Sequence, residues 1–341
     1  MILLPSEFLA LGETLPIVDV RTPAEFEQGH IPGAFNIPLF TNEERAVVGT
    51  LYKREGKEVA FMKGLDFVGP RMRSFVKSAR KIAPERKILV HCWRGGMRSG
   101  SMAWLFKSAG FEAHTLEGGY KAYRRHIRKS FDAKSHWIIL GGYTGSGKTE
   151  ILQEISNIGQ QVVDLEGIAN HKGSAFGHIG QEPQPTTEQF ENNLGQRWLQ
   201  LDFAKTIWME DESKAIGHVY QPENFYQKLR SSRLIFIDIP KEARIQRLVK
   251  EYAGIDHQAL KDSLDKITRR LGGQNHKKAA MALEVNDYAT VADITLSYYD
   301  KAYGYGVSQR NASSVFTLKV EGDNPKATAR LVVDYYQKRI K

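Results

Sequence analysis

The stretch "WIILGGYTGSGKTE", residues 137–150, decides how the second half of this 341-residue chain folds. Residues 137–140 are apolar and read as a short buried strand. Gly142, Gly145, Gly147, Lys148 and Thr149 then complete a G-x-x-x-x-G-K-T match, and a helical stretch follows. A strand, a glycine-rich loop and a helix in that order form a phosphate cradle. Its backbone amides and Lys148 are placed to hold a diphosphate or triphosphate, with Thr149 placed to meet Mg²⁺. The motif leaves open whether that ligand is ATP or some other diphosphate.

Towards the C-terminus, "QQVVDLEG", "TIWMEDE" and "RLIFIDIP" are short apolar runs ending in acidic residues. Helical patterns over 241–253 and 257–272 follow, then a strand, "SVFTLKVEG", and a last helix from Pro325. This alternation predicts a P-loop NTPase-like α/β domain with a parallel sheet over residues 137–341. Asp164, Glu166, Glu210 and Asp211 stand at predicted strand ends, where a carboxylate can assist a metal or substrate or simply cap the next helix. Arg244 and Arg247 share a helix face and suit either a phosphate clamp or a solvated pair. His171, Lys172 and Ser174 lie in a donor-rich glycine loop, 170–177, read as a substrate loop.

Residues 131–136 are polar and patternless and are predicted as a linker. Before them, residues 1–130 alternate again: "LPIVDV", "RKILVHC" and residues 113–116 read as strands, and residues 98–110 as a helix. A second α/β domain with a parallel sheet is expected here. Its "RKILVHC" strand ends at Cys92, the only cysteine in the chain. The loop "HCWRGGMRSGS" then supplies Gly95 and Gly96 for a tight turn of inward-pointing N–H groups, and Arg94 and Arg98 for positive charge. Such surroundings stabilise a thiolate nucleophile. A free cysteine is otherwise often a small buried hydrophobe, but apolar burial needs no arginines.

Composition narrows the class. Apolar residues make up 41% and charged residues 26%, which suits a soluble globular protein. A single cysteine excludes an internal disulfide and a multi-cysteine zinc site and fits a reducing cytoplasm. The N-terminal residues lack a signal-peptide pattern, and no uncharged apolar run reaches the roughly 20 residues that span a bilayer. A net charge of +9 favours a polyanionic partner, and basic clusters lie at 124–129, 269–270 and 277–278.

Residues 1 to about 130 resemble a rhodanese domain, through "DVRTPAEFEQGHIPGAFNIP", the cysteine loop and "LEGGYKAYR". The resemblance implies that Cys92 carries sulfur or selenium and that Asp19 and Arg21 are structural, while His30 suits a turn-and-core position. Five residues separate Cys92 from Arg98, a spacing shared with the phosphate-cradling loop of cysteine phosphatases, which suits a phosphate-bearing donor. Taken whole, the chain resembles the tRNA 2-selenouridine synthases through "HCWRGGMRSGS", "GGYTGSGKTE", "DLEGIANHKGSAFG" and "EDES", in that order.

That family resemblance implies conversion of wobble 2-thiouridine in tRNA to 2-selenouridine, with selenophosphate as donor. It also implies an S-geranyl intermediate made from geranyl diphosphate, and a separate enzyme that supplies selenophosphate. A hypothesis consistent with that chemistry has Cys92 act with Arg94, Gly95, Gly96 and Arg98 on selenophosphate, and the Lys148 loop on geranyl diphosphate. Two other classes are compatible with the motifs alone. One is a bifunctional small-molecule kinase and cysteine phosphatase; the other is a nucleotide-switched RNA-binding protein with an idle Cys92.

Overall fold

β-Branched runs bounded by turn residues become parallel strands in the first of two units, Met1–Ser130, of a computed structural model describing residues 1–341. β1 (Ile2–Leu3) leads through α1 (Pro5–Gly12) to the buried β2 (Ile17–Asp19). A short helix, α2 (Pro23–Gln28), precedes β3 (Phe35–Asn36). Its cause is local. Thr22 Oγ1 accepts the Glu25 N–H at 3.3 Å, Glu25 Oε2 accepts the Thr22 N–H at 3.0 Å, and Pro23 opens the helix.

Residues 42–82 form α3 (Asn42–Arg54), α4 (Lys57–Val68) and the strongly amphipathic α5 (Met72–Ile82). Then come β4 (Lys87–His91), α6 (Met97–Ser108), β5 (Glu112–Leu116) and α7 (Gly119–Ser130). The sheet runs β1-β5-β4-β2-β3 with every pairing parallel. Cys92 follows β4, the central strand, so it emerges at the carboxyl edge of the sheet, where open α/β folds place ligands.

Beneath the cysteine loop, Asp19 and Arg21 are almost fully buried and paired at 2.6 Å. Arg21 Nη2 also donates to the Gly29 carbonyl at 2.6 Å, and its guanidinium lies 3.8 Å from the centre of the Tyr120 ring. Burial pushes the Asp19 carboxyl up, but His91 and Arg21 outweigh it and hold the group below the usual carboxylate range. His91 is itself buried and pushed towards its neutral form by desolvation, so Arg21 is the partner that carries the pairing. Two outcomes follow. Asp19→Asn strands a buried guanidinium and should cost about 3–5 kcal/mol in denaturant unfolding. A depressed folded pKa also means that this stability is present above the unfolded carboxylate value, about 3.9, and is lost as pH falls through the folded value. Acid titration of wild type against Asp19→Asn should therefore show the difference shrinking below about pH 4.

The second unit, Phe131–Lys341, opens on residues expected to be a linker, and packing overrides that expectation. Phe131 is fully buried, with ring centroids 6.0 Å from Trp198 and 5.4 Å from Phe225, and Lys228 Nζ donates to the Ala133 carbonyl at 2.7 Å. Residues 131–136 are thus tied to the second unit by aromatic packing and by hydrogen bonds from Asn224 and Lys228. From there β6 (His136–Gly142) leads into α8 (Lys148–Asn157), β7 (Gln161–Val163), α9 (Leu165–Ala169), α10 (Thr187–Leu199) and β8 (Thr206–Glu210).

A small antiparallel pair, β9 (Ala215–Ile216) and β10 (Val219–Tyr220), precedes α11 (Glu223–Ser231), β11 (Arg233–Asp238) and α12 (Lys241–Ala253). The helix expected over 257–272 is broken into α13 (His257–Lys266) and α14 (Thr268–Leu271). At the break the Thr268 hydroxyl donates to the Asp265 carbonyl at 2.7 Å, a local bond that competes with the helical one. α15 (Gly273–Glu284), α16 (Tyr288–Ser308), β12 (Val315–Lys319) and α17 (Pro325–Arg339) complete the unit. Its main sheet is parallel in the order β12-β11-β6-β8-β7, with the loop-bearing β6 central and β8 beside it. No helix is long and apolar enough to cross a membrane.

Two candidate anion sites

The cysteine loop is held shut from behind by glycines. Gly95 has φ +66°, and a Cβ there would lie 2.6 Å from the Leu116 carbonyl oxygen. Gly119, at φ +60°, begins α7 so close that a Cβ would overlap both the Cys92 carbonyl oxygen and the Gly95 nitrogen. The close approach lets Tyr120 N–H donate to the Cys92 carbonyl at 2.8 Å and Lys121 N–H to the Trp93 carbonyl at 3.0 Å. Gly119→Ala should therefore displace the loop, costing about 1–3 kcal/mol in thermal unfolding and most of the activity that depends on Cys92. Gly100→Ala, with open space around its Cβ, is the matched control.

Cys92 is 3% exposed, with Sγ 3.2 Å from Ser99 Oγ, whose hydroxyl also lies 3.2 Å from the Gly96 carbonyl. No side chain caps the N-terminus of α6 at Gly96, so a capping side chain does not occupy its first-turn N–H groups. Arg94 is exposed beside the loop. Arg98 is held in a fork by Glu25, at 2.7 and 3.2 Å. Burial pushes the Glu25 carboxyl up, but the hydrogen bonds and charge of Arg98 outweigh this and keep it below its ordinary range. Arg98 is thus positioned by a residue from α2, which spacing within the loop gave no sign of. His30 stacks on Phe26 at 3.8 Å, in keeping with a packing position.

In the second unit, Gly145 (φ +78°) and Gly147 (φ +69°) take backbone conformations that side chains disfavour, and Gly147 is the N-cap of α8. Lys148 Nζ lies 3.2 Å from the Gly142 carbonyl, and the Thr149 hydroxyl donates to Glu166 Oε2 at 2.7 Å. Together with Ser146, whose hydroxyl is buried without a partner, these residues line a cavity of about 1040 Å³. Glu166, Lys172, Ser174 and Arg247 line it as well, whereas Asp164, His171, Glu210 and Arg244 do not.

Those outside it have other employment. Asp164 caps α9, accepting the Gly167 N–H at 2.7 Å. Glu210 Oε2 accepts the Leu165 N–H at 3.1 Å; desolvation, then Asp164 and Glu166, push its carboxyl well above the usual range. His171 accepts the Gly173 N–H at 3.2 Å. Arg244 is buried and forks onto Asp300 at 2.8 Å per bond while donating to the Thr144 carbonyl at 3.2 Å, so it braces the phosphate loop from behind. Arg247 is held by Glu150, by Glu251 at 3.6 Å and by Asp323 at 2.5 Å.

Asp211 reaches the cavity, but its carboxylate is engaged by Arg230 at 3.2 Å, by Arg310, and by the Tyr303 hydroxyl at 2.9 Å. Tyr303 in turn accepts the Gly142 N–H at 3.2 Å, so the tyrosine-rich end of α16 fastens the start of the phosphate loop. Glu212, one residue further on, is buried and pushed well above the carboxylate range by desolvation and by Glu166. Nowhere does the chain assemble three or more His, Cys, Asp or Glu side chains in a metal-holding group.

Residues 135–333 match a family model described as the tRNA 2-selenouridine synthase AAA domain, and residues 4–126 match the rhodanese-like domain. A tRNA 2-selenouridine synthase from Bdellovibrio bacteriovorus is 35% identical, over 89% of this chain and 92% of its own length. One from a Sulfurovum species is also 35% identical, over 88% and 90% respectively. Among solved structures, the N-terminal domain of a Clostridium difficile 630 protein is 42% identical over 37% of this chain and 98% of its own, with a TM-score of 0.36.

Proposed function

The chain belongs to the tRNA 2-selenouridine synthase family and is an enzyme acting on tRNA, and from that premise we propose a division of labour between its two anion sites. The Cys92 loop takes selenophosphate, and the phosphate loop takes geranyl diphosphate. One observation carries the second assignment. The cavity that contains Lys148 and Thr149 continues into an apolar wall of Phe176, Ile179, Leu248, Tyr252 and Ile255. A charged head and a ten-carbon apolar tail need such a site, and each buried CH₂ contributes about 0.8 kcal/mol.

In this reading Lys148 and the loop amides take up charge as the diphosphate leaves, and the sulfur of 2-thiouridine becomes geranylated. Thr149 and Glu166, with their oxygens 2.7 Å apart, are hard oxygen donors that fit Mg²⁺, which would help to neutralise the departing diphosphate. At the other site, the Cys92 sulfur is the nucleophile: it attacks the phosphorus of selenophosphate, the P–Se bond breaks as the S–P bond forms, and selenium leaves as selenide, with Arg94, Arg98 and the first turn of α6 around the phosphate. Water then hydrolyses the S-phosphocysteine. At C2 of the nucleoside the released selenide forms a C–Se bond as the C–S bond breaks, and the geranyl thiolate departs more readily than a bare thiocarbonyl sulfur.

Calorimetry with geranyl diphosphate, pyrophosphate and ATP tests the cavity assignment. Geranyl diphosphate should bind at least about tenfold tighter than pyrophosphate, because only it reaches the apolar wall. Tighter binding and hydrolysis of ATP would instead place a nucleotide there.

A further inference from the structure

We infer that the outer face of α7 is a cationic track for the tRNA backbone, leading to the mouth of the Cys92 loop. The helix is two-faced: Tyr120, Tyr123 and Ile127 are buried, while Lys121, Arg125 and Lys129 are exposed. The three cations are four residues apart, so they fall on one side of the helix and advance about 6 Å per step. No acidic residue interrupts α7. The row starts at the reactive loop, since the Lys121 N–H donates to the Trp93 carbonyl at 3.0 Å and the Tyr120 N–H to that of Cys92 at 2.8 Å. Exposed Arg94, in the loop itself, extends it.

Net positive charge alone would attract tRNA anywhere, but this placement does more. A phosphodiester strand laid along α7 is delivered to the sulfur that the proposed function assigns to selenium transfer. The inference rests on that assignment for its destination, though not for its affinity.

The same unit contains an internal control. α5 exposes Arg73, Lys77 and Lys81 with the same spacing. The test compares K121Q/R125Q/K129Q with R73Q/K77Q/K81Q in the full chain. Anisotropy titrations with bulk tRNA carrying 2-thiouridine would run from 50 to 200 mM KCl. The α7 variant should lower the slope of log affinity against log salt by about 2–3, from roughly 0.7–0.9 for each of three lost phosphate contacts. The α5 variant should leave it near wild type. Equal losses in the two variants, or an unchanged slope in the α7 variant, would overturn the track. Release of selenide from selenophosphate without tRNA separates the two ideas. Release should be equal in wild type and both variants. A wild type that releases no selenide would defeat the Cys92 assignment, while the slopes still decide the track.

Discussion

Cys92→Ser should abolish 2-selenouridine formation, by on the order of 10³-fold or more, while S-geranyl-2-thiouridine should still form at close to the wild-type rate. The size follows from chemistry. A serine hydroxyl in the same nest is not ionised near neutrality and is a far weaker nucleophile than a thiolate. The retained half of the reaction follows from architecture, because Cys92 and Lys148 lie in separately folded units, each with its own sheet. Nucleoside mass spectrometry on tRNA digests reads both products at once. Folding is not expected to confound the result, since Cys92 touches Ser99 by one 3.2 Å contact that a serine can reproduce.

Lys148→Ala should give the reciprocal pattern. Geranylation should fall by about 10²–10³-fold, the loss usual when one preorganised donor to a developing anion is removed. Selenide release at Cys92 should continue. The neighbouring fastenings, Tyr303 to Gly142 and Arg244 to Thr144, hold the loop backbone without the lysine, so its shape survives the change. If Lys148→Ala left geranylation intact while Cys92→Ser removed it, the two assignments would have to be exchanged.

The parts of this molecule that depend on backbone conformation were legible in its sequence. Gly145 and Gly147 are required at positive φ, and a strand before them and Lys148 after them leave few alternatives. Cys92 at the end of an apolar run was legible for the same reason, as was the alternation that builds both parallel sheets. What stayed hidden depends on distant pairing. Arg244 reads as a phosphate clamp until Asp300, 56 residues later, is seen to hold it. Asp211 reads as a metal-site carboxylate until Tyr303, 92 residues away, and Arg310, 99 residues away, converge on it. Glu25 orients Arg98 from 73 residues upstream. The apolar wall was equally invisible, because Phe176 and Tyr252 sit 5.4 Å apart only in the folded chain. Residues 42–82 carry helices that pack mainly through partly buried side chains, so their amphipathic pattern is weak in α3 and α4.

The most direct test is a time course on tRNA bearing 2-thiouridine, incubated with selenophosphate and geranyl diphosphate and analysed by nucleoside mass spectrometry. S-geranyl-2-thiouridine should rise first and then fall as 2-selenouridine accumulates, with little selenium product when geranyl diphosphate is withheld. Unchanged 2-thiouridine on tRNA that demonstrably binds, or selenouridine formed equally fast without the geranyl donor, would contradict the account.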